Sequence, residues 1–200
     1  QDFALAIELA RALRLVQPPR AWMAVAQYEA ALALRPESVE VWHELGVTLA
    51  DYLQRPGDAL ELFRSGLELA PDDGHLHFHV GLAVMQLGRY EESLASSRMA
   101  VEFFQALGKT TEELLARSEV ASVHIMRRDP LSALDELNLG LARSREAGRP
   151  DMEARLLQRL GLVSWDLGDD DAAAEQWRQA LPLLRAAGNR VAEGAVLNLL

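Results

Sequence analysis

Gly108, Gly148 and Gly188 stand 40 residues apart, and their surroundings recur with them: Gln105-Ala106-Leu107-Gly108-Lys109, Glu146-Ala147-Gly148-Arg149 and Ala186-Ala187-Gly188-Asn189. A second register runs through Gly81, Ala121 and Gly161, and a third through Ser93, Ala133 and Ala173. Apolar residues between the breakers follow three- and four-residue spacing, as in Leu157, Leu160, Gly161, Ser164 and Trp165, which is the period of a helix. One helix pair is therefore being copied. A single pair cannot bury its own apolar face, so the copies must stack, with small residues where helices approach closely. The expected fold is all-α: a right-handed α-α superhelix of five antiparallel helix pairs plus one further helix. Its radius of gyration would exceed the ~16–17 Å of a 200-residue sphere.

Composition agrees and narrows the function. Leu and Ala dominate, no stretch alternates like a strand, and breakers such as Pro18-Pro19, Pro36, Pro56-Gly57 and Pro71 fall every 15 to 20 residues. Asp129-Pro130 places a cap before a first-turn proline, Thr110 with Glu113 reads as a capping box, and Asp169-Asp170-Asp171 opens a helix. The 200 residues hold no cysteine, which removes disulfides, thiolate metal sites and cysteine nucleophiles. Basic residues number 20, all Arg except Lys109, against 30 acidic ones, a net charge of −10 that disfavours nucleic acid. Even residues 114–160 carry 8 Arg against 7 acids. No run of 18 apolar residues and no signal pattern occurs, so a soluble, cytoplasmic protein without membrane contact is expected.

The first half shows which repeat is copied. Trp42-x2-Leu45-Gly46-x2-Leu49, then Ala59-x3-Phe63, then Pro71 resembles the tetratricopeptide repeat signature, departing only at Leu49 where Tyr is usual. The preceding repeat keeps Ala24-x3-Tyr28 and Pro36. The third keeps Val80-Gly81 and Leu87-Gly88-Arg89-Tyr90-Glu91-Glu92. The last two resemble the longer, roughly 40-residue bacterial variety, with Ala133-x3-Leu137 and with Leu160-Gly161, Leu167-Gly168 and Ala173-x3-Trp177. Repeats are expected at 1–37, 38–72, 73–109, 110–149 and 150–189, with a partial one at 190–200, in a single solenoid. The second gains one residue near Gln54-Arg55-Pro56-Gly57, and Gln17-Pro18-Pro19-Arg20 lengthens the turn of the first.

The resemblance implies a concave groove lined by the first helix of each pair, where family members receive a peptide or partner helix. Carried across, the groove-facing residues are Glu40, His43, Val47 and Asp51, then His75, Phe78, Leu82 and Met85. They continue with Leu115, Ser118, Ser122 and Ile125, and with Arg155, Gln158, Leu162 and Trp165. Large apolar groups there, Trp165, Phe78 and Met85, suit binding anchors. Trp42 and Trp177 fall in core slots. The positions at which some relatives grip a C-terminal carboxylate hold His43, Val47, Phe78 and Leu82, so that clamp is not expected.

His75 and His79 share a helix face, and His43 or Asp72 could complete a metal site, but His77 sits in a core slot and no metal is expected. His43-Glu44 begins like a zincin helix but has Val47 where the second His is required. With no phosphate loop, serine elbow or nucleophile–base pair, neither catalysis nor a cofactor is expected. A protein-interaction scaffold is the leading expectation. The alternative is a ligand- or peptide-sensing domain of a larger bacterial signalling or transcription regulator. Further repeats or another domain in the parent protein are expected. Leu197 and Leu200 repeat Leu157 and Leu160, so they should pack on the helix of Trp177, Ala180 and Leu181, leaving Val196 and Leu199 in an open strip. That strip would suit a homodimer through the C-terminal end.

Overall fold

The computed structural model describes residues 2–16 and 20–200. The expected break at Gln17-Pro18-Pro19 lies outside them. Among the described residues there are eleven α-helices and no strand. They are α1 (Phe3–Leu15), α2 (Ala21–Leu34), α3 (Val39–Val47), α4 (Pro56–Leu69), α5 (Gly74–Gln86) and α6 (Tyr90–Ala106). Then follow α7 (Thr110–Met126), α8 (Pro130–Glu146), α9 (Pro150–Asp166), α10 (Asp170–Ala186) and α11 (Arg190–Leu199). The chain divides into two compact units, Gln1–Phe103 and Phe104–Leu200, the division falling inside α6. In the N-terminal unit α1 packs on α2, α3 on α4 and α4 on α5. In the C-terminal unit α7 packs on α8, α8 on α9 and α9 on α10. Each unit holds its own apolar core.

The registered glycines close helices. Gly108, Gly148 and Gly188 have φ between 62° and 66°, left-handed values that cost a glycine nothing. The next N–H then reaches back over the turn: Lys109 to the Phe104 carbonyl, Arg149 to Ser144 and Asn189 to Leu184, all at 2.9–3.0 Å, satisfying carbonyls the helix leaves free. Helix starts are capped as the sequence predicts at Asp129 and Asp169, and in the same way at Asn189; these side chains accept from Ser132, Ala172 and Ala192 N–H. The Thr110–Glu113 capping box does not form. Thr110 is already the first helical residue, and Glu113 turns inward, fully buried, to accept from Gln105, Arg117 and Arg143.

Close helix approach explains the other register. A Cβ at Gly161 would overlap the indole of Trp177, and one at Gly46 would overlap the ring of Phe63. Trp177 is buried, as expected. Trp42 is only partly so, its indole N–H donated to the Pro36 carbonyl at 2.7 Å. The extra residue of the second repeat is absorbed earlier than Gln54–Gly57, in a π-helical turn at Thr48–Tyr52. Twelve residues separate Gly161 from Ala173 but thirteen separate Gly46 from Ala59, and widening one turn restores the facing of Phe63.

The expected packing of α11 holds at Leu199, which is 41% exposed, and fails at the other three positions. Val196 is 1% exposed, whereas Leu197 and Leu200 are 48% and 49% exposed. Val196 occupies the slot of Leu156, which packs on the preceding second helix at Gly140. Leu157 and Leu160 belong instead to the core shared with Trp177 of their own pair. α11 packs on α10.

Candidate functional site

In the N-terminal unit the first helices α1, α3 and α5 present a closed set of polar partners. Arg11 of α1 pairs with Glu40 and, at 3.5 Å, with Glu44 of α3. Arg14 pairs with Glu44 and lies over the rings of Tyr28 and Tyr52, 5.6 and 5.9 Å from their centroids. The Tyr28 hydroxyl donates to Glu44 at 3.4 Å; burial first, then that carboxylate, pushes its pKa up to about 12. Every cation on this patch has a carboxylate.

One helix further on, His43 of α3 meets His79 of α5, Nε2 to Nδ1 at 3.1 Å, with the rings edge to face. The same Nδ1 stands 2.8 Å from the His75 carbonyl oxygen, which can only accept. His79 Nδ1 therefore carries the hydrogen, which the His75 carbonyl accepts and His43 Nε2 can only share. Burial, then the neighbouring His79, holds His43 down to about 4, and burial lowers His79 as well, so both rings are neutral at pH 7. Beside them a cavity of about 360 Å3 is lined by Val39, Glu40, His43, Asp73 and His75. Asp73 is occupied at the start of α5, accepting from His75 and Leu76 N–H. His77 is buried apart from this group, 2.8 Å from the Pro71 carbonyl and stacked on Phe103. No group of three His, Cys, Asp or Glu among the described residues is placed to hold a metal ion.

In the C-terminal unit, α7 and α9 meet through different chemistry. Arg159 of α9 donates to the Ser118 hydroxyl of α7 at 2.7 Å and to that of Ser122. Ser122 itself donates to the Ser118 carbonyl one turn back at 3.1 Å. Neither Arg159 nor Arg155 has a carboxylate within 4 Å among the described residues. Glu119 acts on Arg159 at longer range; it is 8% exposed, its Oε1 lacks a hydrogen-bond partner, and burial raises its pKa. Farther along α9, Leu162 and Trp165 are 43% and 53% exposed.

The structure thus gathers the sequence-predicted residues into two sets. His43 and His75 line one cavity, Phe78 meets His79 edge-on at 5.3 Å, and Leu82 and Met85 are half-buried on the same helix. Val47 packs against the core, and Asp51 is exposed on the π-helical turn. In the other set Arg155, Leu162 and Trp165 are exposed and Gln158, Ser122, Leu115 and Ile125 are half-buried. Ser118 is buried and committed to Arg159. Arg159 itself was missed. The heptad spacing that selects Arg155 and Leu162 passes over it, although a guanidinium one turn from Arg155 was visible in the sequence. Arg11, Arg14 and Glu44 were missed because their pairing joins helices about 30 residues apart.

Residues 47–106 match the tetratricopeptide repeat family. That matched segment resembles tetratricopeptide repeats, and the helical-repeat fold around it is of the same kind. The chain is 25% identical over 96 residues to a peroxisomal targeting signal receptor of Candida albicans, and 36% identical over 81 residues to superkiller complex protein 3 of Mus musculus. These alignments take in 48% and 40% of the chain but only 16% and 5% of the two relatives. Among solved structures, TPR-like repeats from Podosopora anserina superpose with a TM-score of 0.79 at 16% identity, over 94% of this chain and 96% of that one. MamA protein gives 0.70 at 18% identity, over 94% of each chain. YrrB gives 0.63 at 18%, over 91% and 86%. The tetratricopeptide fold is the all-α helical-repeat class expected from the registers. Among the described residues no helix is long and apolar enough to cross a membrane.

Proposed function

We propose that this tetratricopeptide chain is a protein-interaction scaffold whose first-helix faces receive an extended segment of a partner protein. The carrying observation is the exposure of Leu162 and Trp165 beside Arg155 on α9, a mixture of large apolar and charged groups typical of interface anchors. Two features of similar proteins support it. The curated relatives are named as a receptor and as a member of a complex, and YrrB is described as a TPR protein with an unusual peptide-binding site. The test is capture of partners by the purified chain beside a Leu162→Ala/Trp165→Ala variant, with mass spectrometry and cross-linking. Partners that depend on those side chains and cross-link to α7 or α9 are expected. Equal capture by the variant would overturn the reading.

A further inference from the structure

Nineteen arginines are spread over this acidic chain, and on the N-terminal unit's first-helix face those of α1 are neutralised by Glu40 and Glu44. Arg159 differs. It is half-buried, held by two neutral hydroxyls, and forms no ion pair among the described residues, Glu119 acting on it only from beyond 4 Å. Ser118, 4% exposed, fixes one arm of the guanidinium in place and thereby orients the remaining donors. Arg155 lies one turn away on the same face, close enough that the two cations repel. Two cations are thus presented together, one of them pre-positioned.

We propose that the Arg155–Arg159 pair receives a carboxylate of the partner segment, and that Leu162 and Trp165 receive a large apolar side chain of the same segment. This rests on the first-helix face being the binding face. A guanidinium suits a carboxylate because its planar donors match the two oxygens, and the partial burial of Arg159 strengthens the bond. The spacing follows from helix geometry. From the middle of the arginine pair to the middle of the Leu162–Trp165 pair is six to seven residues of helix, about 10 Å at 1.5 Å per residue. An extended chain advances about 3.3 Å per residue, so the acid and the apolar residue stand about three positions apart. Glu119 opposes the ligand electrostatically, and burial, by favouring its neutral form, reduces that opposition.

The test is a selection of short random peptides against the full chain. Enriched peptides should carry Asp or Glu about three positions from a large apolar residue. Their affinity should fall at least tenfold on Arg159→Gln and severalfold on Arg155→Gln, an exposed position that leaves folding untouched. It should rise on Glu119→Gln and weaken with salt. Enriched peptides that bind wild type and Arg155→Gln alike, without salt dependence, would overturn the carboxylate assignment while leaving the binding face intact. Enriched peptides indifferent to Leu162→Ala/Trp165→Ala, or no enrichment at all, would overturn both readings.

Discussion

The two units solve one problem, the meeting of neighbouring first helices, with opposite electrostatics. In the N-terminal unit Arg11 and Arg14 cross to Glu40 and Glu44, and two imidazoles close the next contact without net charge. In the C-terminal unit the crossing is made by Arg159 to serine hydroxyls, and the charge is left without a bonded counter-ion. The repeat fold does not require either solution. Its core slots are shared by both units, since Gly46 faces Phe63 as Gly161 faces Trp177. The difference lies in side chains that packing leaves free to vary. Such positions are where one fold acquires distinct partners.

The shared part is the costliest to disturb. Gly161→Ala is expected to destabilise the chain by about 3 kcal/mol, because the Cβ meets a Trp177 ring that is itself buried and tied to the Gln158 carbonyl. Gly81→Ala should cost less than half as much. Its Cβ would meet the small Ser97 hydroxyl, and Ser97→Ala should restore most of the loss. Urea denaturation of the four proteins decides the matter. Equal costs at the two glycines would show that the ring does not set the approach.

These slots were legible in the sequence because each repeat restates them. Gly161, Trp177 and the closing glycines recur at fixed intervals, and repetition turns a weak local preference into a pattern. The faces were only partly legible. The family resemblance pointed to His43, His75, Arg155, Leu162 and Trp165, yet could not show that His43 would meet His79 or that Ser118 would be consumed by Arg159. Those contacts join helices 36 and 41 residues apart, where small rotations choose the partner. At α11 the same uncertainty shifted the buried position by one residue, from Leu197 to Val196.

Acid should separate the units. His43 has a folded pKa of about 4, below the 6.5 of a free imidazole, so the unfolded chain takes up its proton more readily. Stability from this source is complete above pH 6.5 and declines as pH falls toward 4. Between pH 6.5 and 5 the loss is at most about 2 kcal/mol, at 1.36 kcal/mol per pH unit. The C-terminal unit has no imidazole pair; its one histidine, His124, stands 3.3 Å from Asp129. Hydrogen exchange should therefore show α3 and α5 losing protection before α7 and α9 on acidification, and His43→Gln should flatten the decline. An unchanged pH profile in that variant would remove His43 as the cause.

The smallest effect concerns a residue that breaks the pattern of helix ends. Arg128 lies midway between Gly88 and Gly168, 40 residues from each, and shares their left-handed backbone with φ 58°. Its neighbours bond as theirs do: Asp129 N–H reaches the His124 carbonyl at 2.9 Å, as Asp169 reaches Ser164 at 3.0 Å. A side chain at that φ costs about 1 kcal/mol or somewhat more, of which the extra freedom of glycine in the unfolded chain takes back part. Arg128→Gly is thus expected to stabilise the chain by about 0.5–1 kcal/mol. Gln54, with φ 54° in the N-terminal unit, offers the counter-case. Its side chain donates to the Asp51 carbonyl at 2.9 Å, helping to hold the end of the π-helical turn, so Gln54→Gly loses a bond as it relieves strain. Thermal melts should show a rise for Arg128→Gly and almost none for Gln54→Gly. A fall in the first would mean that Arg128 makes a contact worth more than its backbone strain.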